Sequence, residues 1–155
     1  MKGLPLAGLV VAMVAPAAGQ APAPPFVPFD VVVTDGVSGI PTPLAALTGH
    51  PDEGEKVVVE RRLGNCLSCH EIGALASEPF HGEIGPSLDG VAGRWDAARL
   101  RMIVVNPKKV FGDETVMPAF YRIDGLNRVR PEFTGQPILD AQQVEDVVAF
   151  LGTLK

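Results

Sequence analysis

The chain has 155 residues, which is enough for one domain with a modest core. Its formal charge is −5, from 13 Lys plus Arg against 18 Asp plus Glu, so binding to nucleic-acid phosphates or to anionic lipid is not expected, and a cationic partner surface fits better. Aromatic residues make up only 6% beside 17 Gly and 15 Pro, which predicts long irregular connections and a core that a buried cofactor helps to fill.

Residues 1–20 have the pattern of an export signal. Lys2 forms a minimal basic region, Leu4–Val14 is an apolar run, and small residues follow up to an expected cleavage point near Gly19–Ala21. A retained membrane anchor is the alternative, but so short a run, interrupted by Pro5, does not cross roughly 30 Å of hydrocarbon. We therefore expect a periplasmic mature protein without a membrane span.

Residues 21–50 are predicted to be a separate proline-rich extension, because prolines spaced through it prevent a helix. An extended segment is expected over residues 29–33 and a turn over residues 34–36. The extension carries more apolar side chains than a solvated linker would use, namely Phe26, Val27, Phe29, Ile40, Leu44 and Leu47. Since a domain of this size need not bury them internally, we expect the extension to lie partly across a partner protein.

Three helices are predicted in residues 51–155, which we take as one domain without a β-sheet. The first is expected over Pro51–Leu63, because proline suits an opening turn and the charged residues at both ends complement the helix dipole. The second is expected over Ala97–Val105, between a capping aspartate and a terminating proline. The third starts at Asp140, whose carboxylate forms a capping box with Gln143. Its buried face is expected to comprise Val144, Val147, Val148, Leu151 and Leu154.

The two cysteines of the chain, Cys66 and Cys69, are three residues apart, and His70 follows directly. A Cys-x-x-Cys pair by itself could also be a redox dithiol, a structural disulfide or half of a zinc site. Zinc would want two further Cys or His ligands at compact spacing, and a thioredoxin-like site would want a βαβ context, whereas the flanks here are helix and loop. A histidine directly after the second cysteine instead favours covalent haem, in which two thiols add to the vinyl groups and the imidazole reaches the iron.

The second axial position of such an iron has four candidate ligands in the mature chain: His50, His81, Met102 and Met117. His50 precedes the first helix and is expected to be a cap or surface residue, and Met102 lies beside an apolar stripe where methionine ordinarily packs. His81 is disfavoured because it follows His70 on the same arm of chain. Met117 lies in an irregular segment, restricted by the proline after it, and is far enough along the chain to pass over the opposite haem face. Met117 is therefore the expected ligand.

A stiff turn at residues 84–88 supplies a further candidate contact. A haem histidine normally donates its second N–H to a backbone carbonyl. Gly85 and Pro86 leave a free carbonyl at about the right distance along the chain from His70, so we expect them to support that histidine. Without a haem, the same residues would be interpreted as an ordinary Gly-Pro loop.

The motifs together resemble those of small single-haem cytochromes c. The resemblance covers nearly the whole mature chain through Gly54-x-x-Val57-Val58, Cys66-x-x-Cys69-His70, Gly85-Pro86-x-Leu88-x-Gly90, Met117-Pro118 and Val148-Ala149-Phe150-Leu151. It implies an all-α cytochrome c fold in which the first and last helices cross at a glycine. It also implies one covalent haem c attached to Cys66 and Cys69, with His70 and Met117 as axial ligands.

Four longer strings, at residues 64–70, 81–88, 117–129 and 138–148, are similar to the SoxX subunits of thiosulfate-oxidising bacteria. Ordinary cytochromes c do not carry the second and third of these strings. The resemblance implies a SoxAX-like heterodimer with a SoxA-like cytochrome, which joins thiosulfate oxidatively to a cysteine of a SoxYZ-like carrier protein. In such an L-cysteine S-thiosulfotransferase complex this chain would be the haem subunit.

The cysteine count limits what the chain could do by itself. Both thiols are used by the haem, and with Met117 bound the iron has no open position, so the chain would not be catalytic alone. Its expected role is to accept electrons one at a time and pass them to a downstream acceptor. Two alternatives stay open: a freestanding electron shuttle for another oxidoreductase, and a haem sensor with an exchangeable Met117. The apolar extension favours a stable partner over a shuttle, which would bury only a small interface.

Overall fold

The computed structural model describes residues 24–155, apart from the side chain of Glu132. The predicted export signal and its cleavage point lie outside the described residues. The described part contains a two-stranded hairpin, β1 (Val32–Thr34) and β2 (Val37–Gly39), followed by five α-helices. These helices are α1 (Pro51–Val59), α2 (Val91–Arg94), α3 (Ala97–Val105), α4 (Lys108–Phe111) and α5 (Ala141–Leu151). Single 3-10 turns lie at Cys66–Ser68, Gly73–Leu75 and Pro131–Phe133, and a turn with left-handed Ala45 and Ala46 lies at Leu44–Ala46.

The hairpin lies within the proline-rich extension. Its antiparallel strands pair Val32 with Gly39 and Thr34 with Val37. Asp35 and Gly36 have φ angles of 54° and 77°, the left-handed conformation that two-residue hairpin turns require. The predicted turn is thus confirmed, whereas the strand begins three residues later than the extended segment expected from the sequence.

Helix α1 is shorter than predicted, because it ends at Val59 and not at Leu63. Glu60 is extended, with φ −67° and ψ 118°, and the chain then turns back so that the N–H of Gly64 donates to the carbonyl of Val57 at 3.1 Å. A Cβ at Gly64 would lie only 2.7 Å from that oxygen, so a side chain there would prevent the turn. The helix therefore ends where the return toward the two cysteines begins.

Helices α3 and α5 begin as the sequence predicts. Asp96 accepts a hydrogen bond from the N–H of Arg99 at 2.8 Å and caps α3. At the start of α5, Asp140 accepts from the N–H of Gln143 at 2.8 Å, while the Gln143 side chain accepts from the N–H of Asp140 at 2.9 Å. This reciprocal pair is the predicted capping box, and it satisfies two backbone donors that a helix start otherwise leaves unpaired.

The first and last helices pack at Gly54. A Cβ at this position would overlap the carbonyl oxygen of Asp146 and crowd the Cβ of Phe150, so α1 and α5 meet nearly backbone to backbone. The N–H of His50, just before α1, also donates to the carboxylate of Asp146 at 2.8 Å. The glycine expected at this crossing is confirmed, and it fixes the framework from which the cysteine loop emerges.

The extension is part of the domain's own core, contrary to the expectation that the domain need not bury it. Ile40 and Leu44 are each 1% exposed. Both are joined to a buried ion pair in which the Arg101 guanidinium donates twice to the Glu145 carboxylate, at 2.7 and 2.8 Å. Arg101 also donates to the carbonyl of Ile40 at 2.7 Å, and Glu145 accepts from the N–H of Leu44 at 2.9 Å. The extension therefore supplies hydrogen bonds that two buried charges need.

The start of the extension packs on Tyr121. The Phe26 ring stacks on the Tyr121 ring with centroids 4.8 Å apart, and the N–H of Val27 donates to the Tyr121 hydroxyl at 2.7 Å. Tyr121 is 1% exposed and follows the segment that contains Met117. The extension thus contacts the same part of the chain that carries the expected methionine ligand.

Replacing Arg101 by Met should lower the free energy of unfolding by roughly 3–5 kcal/mol, because it leaves the Glu145 carboxylate buried without its counter-charge. Urea denaturation of the purified protein measures the change. Arg99→Met is the matched control, two residues away in α3, where the pairs with Asp96 and Asp35 lie at the surface and are worth about 0–1 kcal/mol. Equal losses in the two variants would contradict the coupling of the extension to this pair.

Candidate haem site

Both cysteines and His70 lie on one tight turn that follows α1. Asn65 adopts the left-handed conformation, with φ 48°, and directs the chain into the 3-10 turn Cys66–Ser68. The carbonyl of Cys66 then accepts hydrogen bonds from the N–H groups of Cys69, at 3.1 Å, and His70, at 2.9 Å. These bonds set the two thiols and the imidazole at fixed positions relative to one another.

The two thiols are free and half-buried. Burial raises the pKa of the Cys66 thiol to about 12, so this sulfur stays protonated at neutral pH. A redox dithiol needs the opposite, a lowered pKa and a thiolate. Among residues 24–155, no group of three or more His, Cys, Asp or Glu side chains converges as a metal site would require. The raised pKa of Cys66 does not suit a redox dithiol, and the surroundings of the pair give no support to a zinc site. Haem attachment therefore remains the favoured interpretation.

The His70 imidazole has a defined tautomer. Its Nδ1 lies 2.7 Å from the carbonyl oxygen of Pro86, and a carbonyl can only accept, so Nδ1 carries the proton. In the neutral ring, Nε2 then has a free lone pair. This is the arrangement in which an imidazole binds a metal through one nitrogen and is oriented through the other.

Gly85 lies directly against the His70 ring. A Cβ at this position would overlap the Cε1 atom of His70, and it would also come within 2.6 Å of Nδ1 and 2.8 Å of Nε2. Any side chain would therefore push the ring away from the Pro86 carbonyl. The pair Gly85-Pro86 thus acts in two ways: the glycine makes room for the imidazole, and the carbonyl of the proline accepts a hydrogen bond from its Nδ1–H.

Three backbone hydrogen bonds attach the segment 81–88 to the cysteine turn. The N–H of Gly82 donates to Leu67 at 2.7 Å, that of Gly85 to Cys69 at 2.8 Å, and that of Leu88 to Glu71 at 2.9 Å. Gly82 also packs so closely that a Cβ would overlap the carbonyl of Ser68. We call these three bonds the His70 clamp, because together they position both Gly85 and Pro86 against the imidazole.

His81 has a structural role that the sequence did not reveal. Its Nδ1 accepts from the N–H of Ile72 at 3.2 Å, and its Nε2 donates to the carbonyl of Leu75 at 3.1 Å. With both ring nitrogens bound to backbone, His81 has none left for an iron. The low expectation for His81 as a ligand agrees with this geometry, but nothing in its spacing indicated that it would support the loop after His70.

Arg94 was also missed from the sequence. Its guanidinium donates to the carbonyls of Ser87, at 2.8 Å, and Asp89, at 2.7 Å. The carboxylate of Asp89 in turn accepts from the N–H of Gly73 at 2.8 Å. The residues just after Pro86 are thereby tied to α2 on one side and to the loop after His70 on the other. No local pattern identifies such an arginine, since all of its acceptors are carbonyl groups of loops.

Met117 lies on a different segment from these groups, after α4. Its side chain is half-buried and packs against the core. Shortly after it, the N–H groups of Phe120 and Tyr121 donate to the carbonyls at the end of α3, at 3.2 and 3.3 Å. Met102 is 1% exposed inside α3, which confirms its packing role, and His50 is exposed at the N-cap position of α1, also as expected.

The residues present fit a covalently attached haem. The cysteine turn offers two thiols and one imidazole with a free lone pair, and Gly85 forms the flat surface against which that ring rests. Met117 offers a half-buried thioether, a soft ligand suited to haem iron. Within residues 24–155, no helix has the length and apolar character needed to cross a bilayer.

Comparisons with known proteins agree with the motifs. The cytochrome c family profile matches residues 51–155. A chain from the crystal structure of SoxXA from P. pantotrophus is 47% identical, with a TM-score of 0.72, and the match covers 81% of this chain and 94% of that one. None of the curated proteins matches the chain. This chain belongs to the cytochrome c family with its covalent haem c, and within that family to the SoxX subunits.

Proposed function

We propose that this chain is the electron-accepting subunit of a SoxAX-like heterodimer, which conjugates thiosulfate to a cysteine of a SoxYZ-like carrier protein in the periplasm. The proposal depends most on the similarity to a chain of SoxXA, because it extends over 94% of that chain. The turn at Cys66–His70 supports it, since both thiols and an imidazole with a free Nε2 lie together there. The expected export signal supports the periplasmic location.

The proposed roles of the site residues follow from their surroundings. Cys66 and Cys69 would attach the haem through their thiols, and His70 and Met117 would bind its iron. Haem bound in this way supplies a one-electron acceptor whose potential is raised by a thioether ligand. The carbonyl of Pro86 accepts a hydrogen bond from Nδ1 of His70, which keeps the ring in one tautomer and one orientation.

The electron balance of the conjugation requires such a subunit. When a cysteine thiol joins thiosulfate, one sulfur–sulfur bond forms, the thiol proton is released, and two electrons must leave. This chain takes them one at a time and transfers each to a downstream acceptor. Because Cys66 and Cys69 are its only cysteines, it has no further thiol for the sulfur chemistry, which belongs to the partner and the carrier.

The outer strand of the hairpin is the part of the extension that we propose meets the SoxA-like partner. Val31, Val32 and Val33 are 44%, 48% and 64% exposed, although Ile40 and Leu44 of the same extension are buried in the domain. Among residues 24–155, strand β1 pairs only with β2, so its other edge is open to a partner there. Exposed edge strands rich in valine are ones that proteins usually cover.

Replacing Met117 by Ala should lower the reduction potential and let added imidazole bind the iron, because the thioether that favours ferrous iron is lost. Visible spectra and redox titration of the purified protein measure both effects. Met102→Leu is the control for a buried methionine and should leave the spectrum unchanged. His81→Ala should keep the spectrum but reduce stability, since two hydrogen bonds disappear. A spectrum altered by His81→Ala and not by Met117→Ala would overturn the ligand assignment.

The double variant Val31→Ser, Val33→Ser should bind the SoxA-like subunit about tenfold more weakly, because apolar area is lost from the interface. Isothermal titration against the purified partner measures the affinity. Phe80→Ser is the control, as an 81% exposed apolar side chain in a different loop.

The chain alone should produce no cysteine–thiosulfate conjugate, and activity should appear when the partner and the carrier are both added.

Two outcomes count against this account. Full affinity in the double variant would exclude β1 from the interface but leave the heterodimer standing. Failure of the unmodified chain to bind a SoxA-like cytochrome, together with ready reduction by other donors, would favour a freestanding electron shuttle instead.

A further inference from the structure

Lys108 makes a contact that is unusual for a surface lysine. It is the first residue of α4, directly after the buried Pro107, and its side chain is half-buried. The ammonium group donates to the carbonyl oxygen of Thr115 at 2.8 Å. Lys109, the next residue, is exposed. Lys108 therefore folds back onto the chain and contacts Thr115, two residues before Met117, whereas Lys109 is exposed.

The fold determines why Lys108 reaches this carbonyl. Pro107 is buried at the junction of α3 and α4 and anchors the start of the short helix. Gly112 ends the helix with φ 83°, a conformation that reverses the chain, and its N–H donates to the carbonyl of Lys108 at 3.0 Å. The residues after Gly112 consequently run back past the Lys108 side chain, so Thr115 lies within its reach.

Thr115 connects this contact to Met117. While its carbonyl accepts from Lys108, its side-chain Oγ1 accepts from the N–H of Met117 at 3.3 Å. Other side chains of the segment offer little packing, because Asp113 and Glu114 are exposed and Val116 is 80% exposed. The polar contacts that start at Lys108 therefore add to the core packing of the Met117 side chain in fixing this segment.

We propose that Lys108 is a positioning residue for the axial methionine: by fixing Thr115, it holds the Met117 thioether toward the haem iron. The inference rests on the proposed function, in which Met117 is that ligand. A hydrogen bond from a charged donor in a partly buried setting is stronger than a neutral one, so its loss frees the segment appreciably. When the segment leaves its position more often, an external ligand replaces Met117 at the iron more readily, so the apparent affinity of that ligand rises.

The test compares holoprotein of Lys108→Met, Lys108→Gln, Lys108→Arg and the control Lys109→Met. Imidazole is added to the oxidised protein, and its affinity is read from the visible spectrum together with the absorption band of the sulfur–iron bond. Lys108→Met and Lys108→Gln should bind imidazole about tenfold more tightly than the unmodified protein. Lys109→Met should be unchanged, and Lys108→Arg, which keeps a charged donor, should restore most of the original resistance.

Each result of this test either supports or overturns the proposed role of Lys108. Equal imidazole affinities in Lys108→Met and Lys109→Met would overturn the proposal, even if Lys108→Met melts at a lower temperature, because a purely structural lysine changes stability without changing ligand competition. Failure of the rescue by arginine while the other variants bind tightly would also contradict it. A failure of the proposed ligation by Met117 gives a different result. In that case Met117→Ala would show the same sulfur–iron band and the same imidazole affinity as the unmodified protein.

Discussion

The hydrogen bond between Nδ1 of His70 and the carbonyl of Pro86 is the contact on which the site depends. It fixes the tautomer and leaves the Nε2 lone pair free to bind a metal, and it exists only because Gly85 has no side chain to displace the ring. The His70 clamp then ties both residues to the cysteine turn. His81 and Arg94 support the loops on either side. The His70 ring is thus oriented by a backbone carbonyl, and the charged groups of Arg94 and Asp89 support it only indirectly, through the neighbouring loops.

The rest of the fold supports that turn from a distance. The close packing of α1 on α5 at Gly54 fixes the helix from which the cysteine turn emerges. The buried pair of Arg101 and Glu145 joins α3, α5 and the extension in one network, and each charge is satisfied by backbone groups of the extension. Breaking a buried pair of this kind is costly, so the extension is integral to the domain and not simply an arm for a partner. Its outer strand is among the parts of the extension that stay exposed.

Local patterns in the sequence predicted those features that local physics controls. The caps at Asp96 and Asp140 were readable from neighbouring residues, because capping depends on residue types at short spacing, whereas the crossing glycine, Gly54, was expected only from the resemblance to cytochromes c. The early end of α1 could not be predicted, because it depends on the hydrogen bond from the N–H of Gly64 back to the carbonyl of Val57 and not on a helix-breaking residue. Arg101 could not be recognised as buried, because its partner lies 44 residues away in the chain. Tertiary contacts of that kind leave no periodic signal.

The most direct test of the central contact is Gly85→Ala, compared with Gly93→Ala. A methyl group at Gly85 meets the His70 ring, whereas at Gly93 it meets no atom within 4 Å. The measurement is the visible spectrum of each purified holoprotein, which reports whether both axial ligands bind the iron. We expect a low-spin spectrum for Gly93→Ala, and for Gly85→Ala a weakened or lost histidine ligation with a larger high-spin fraction. A Gly85→Ala protein with unchanged spectrum and haem content would contradict the claim that His70 is positioned by its contacts with Gly85 and Pro86.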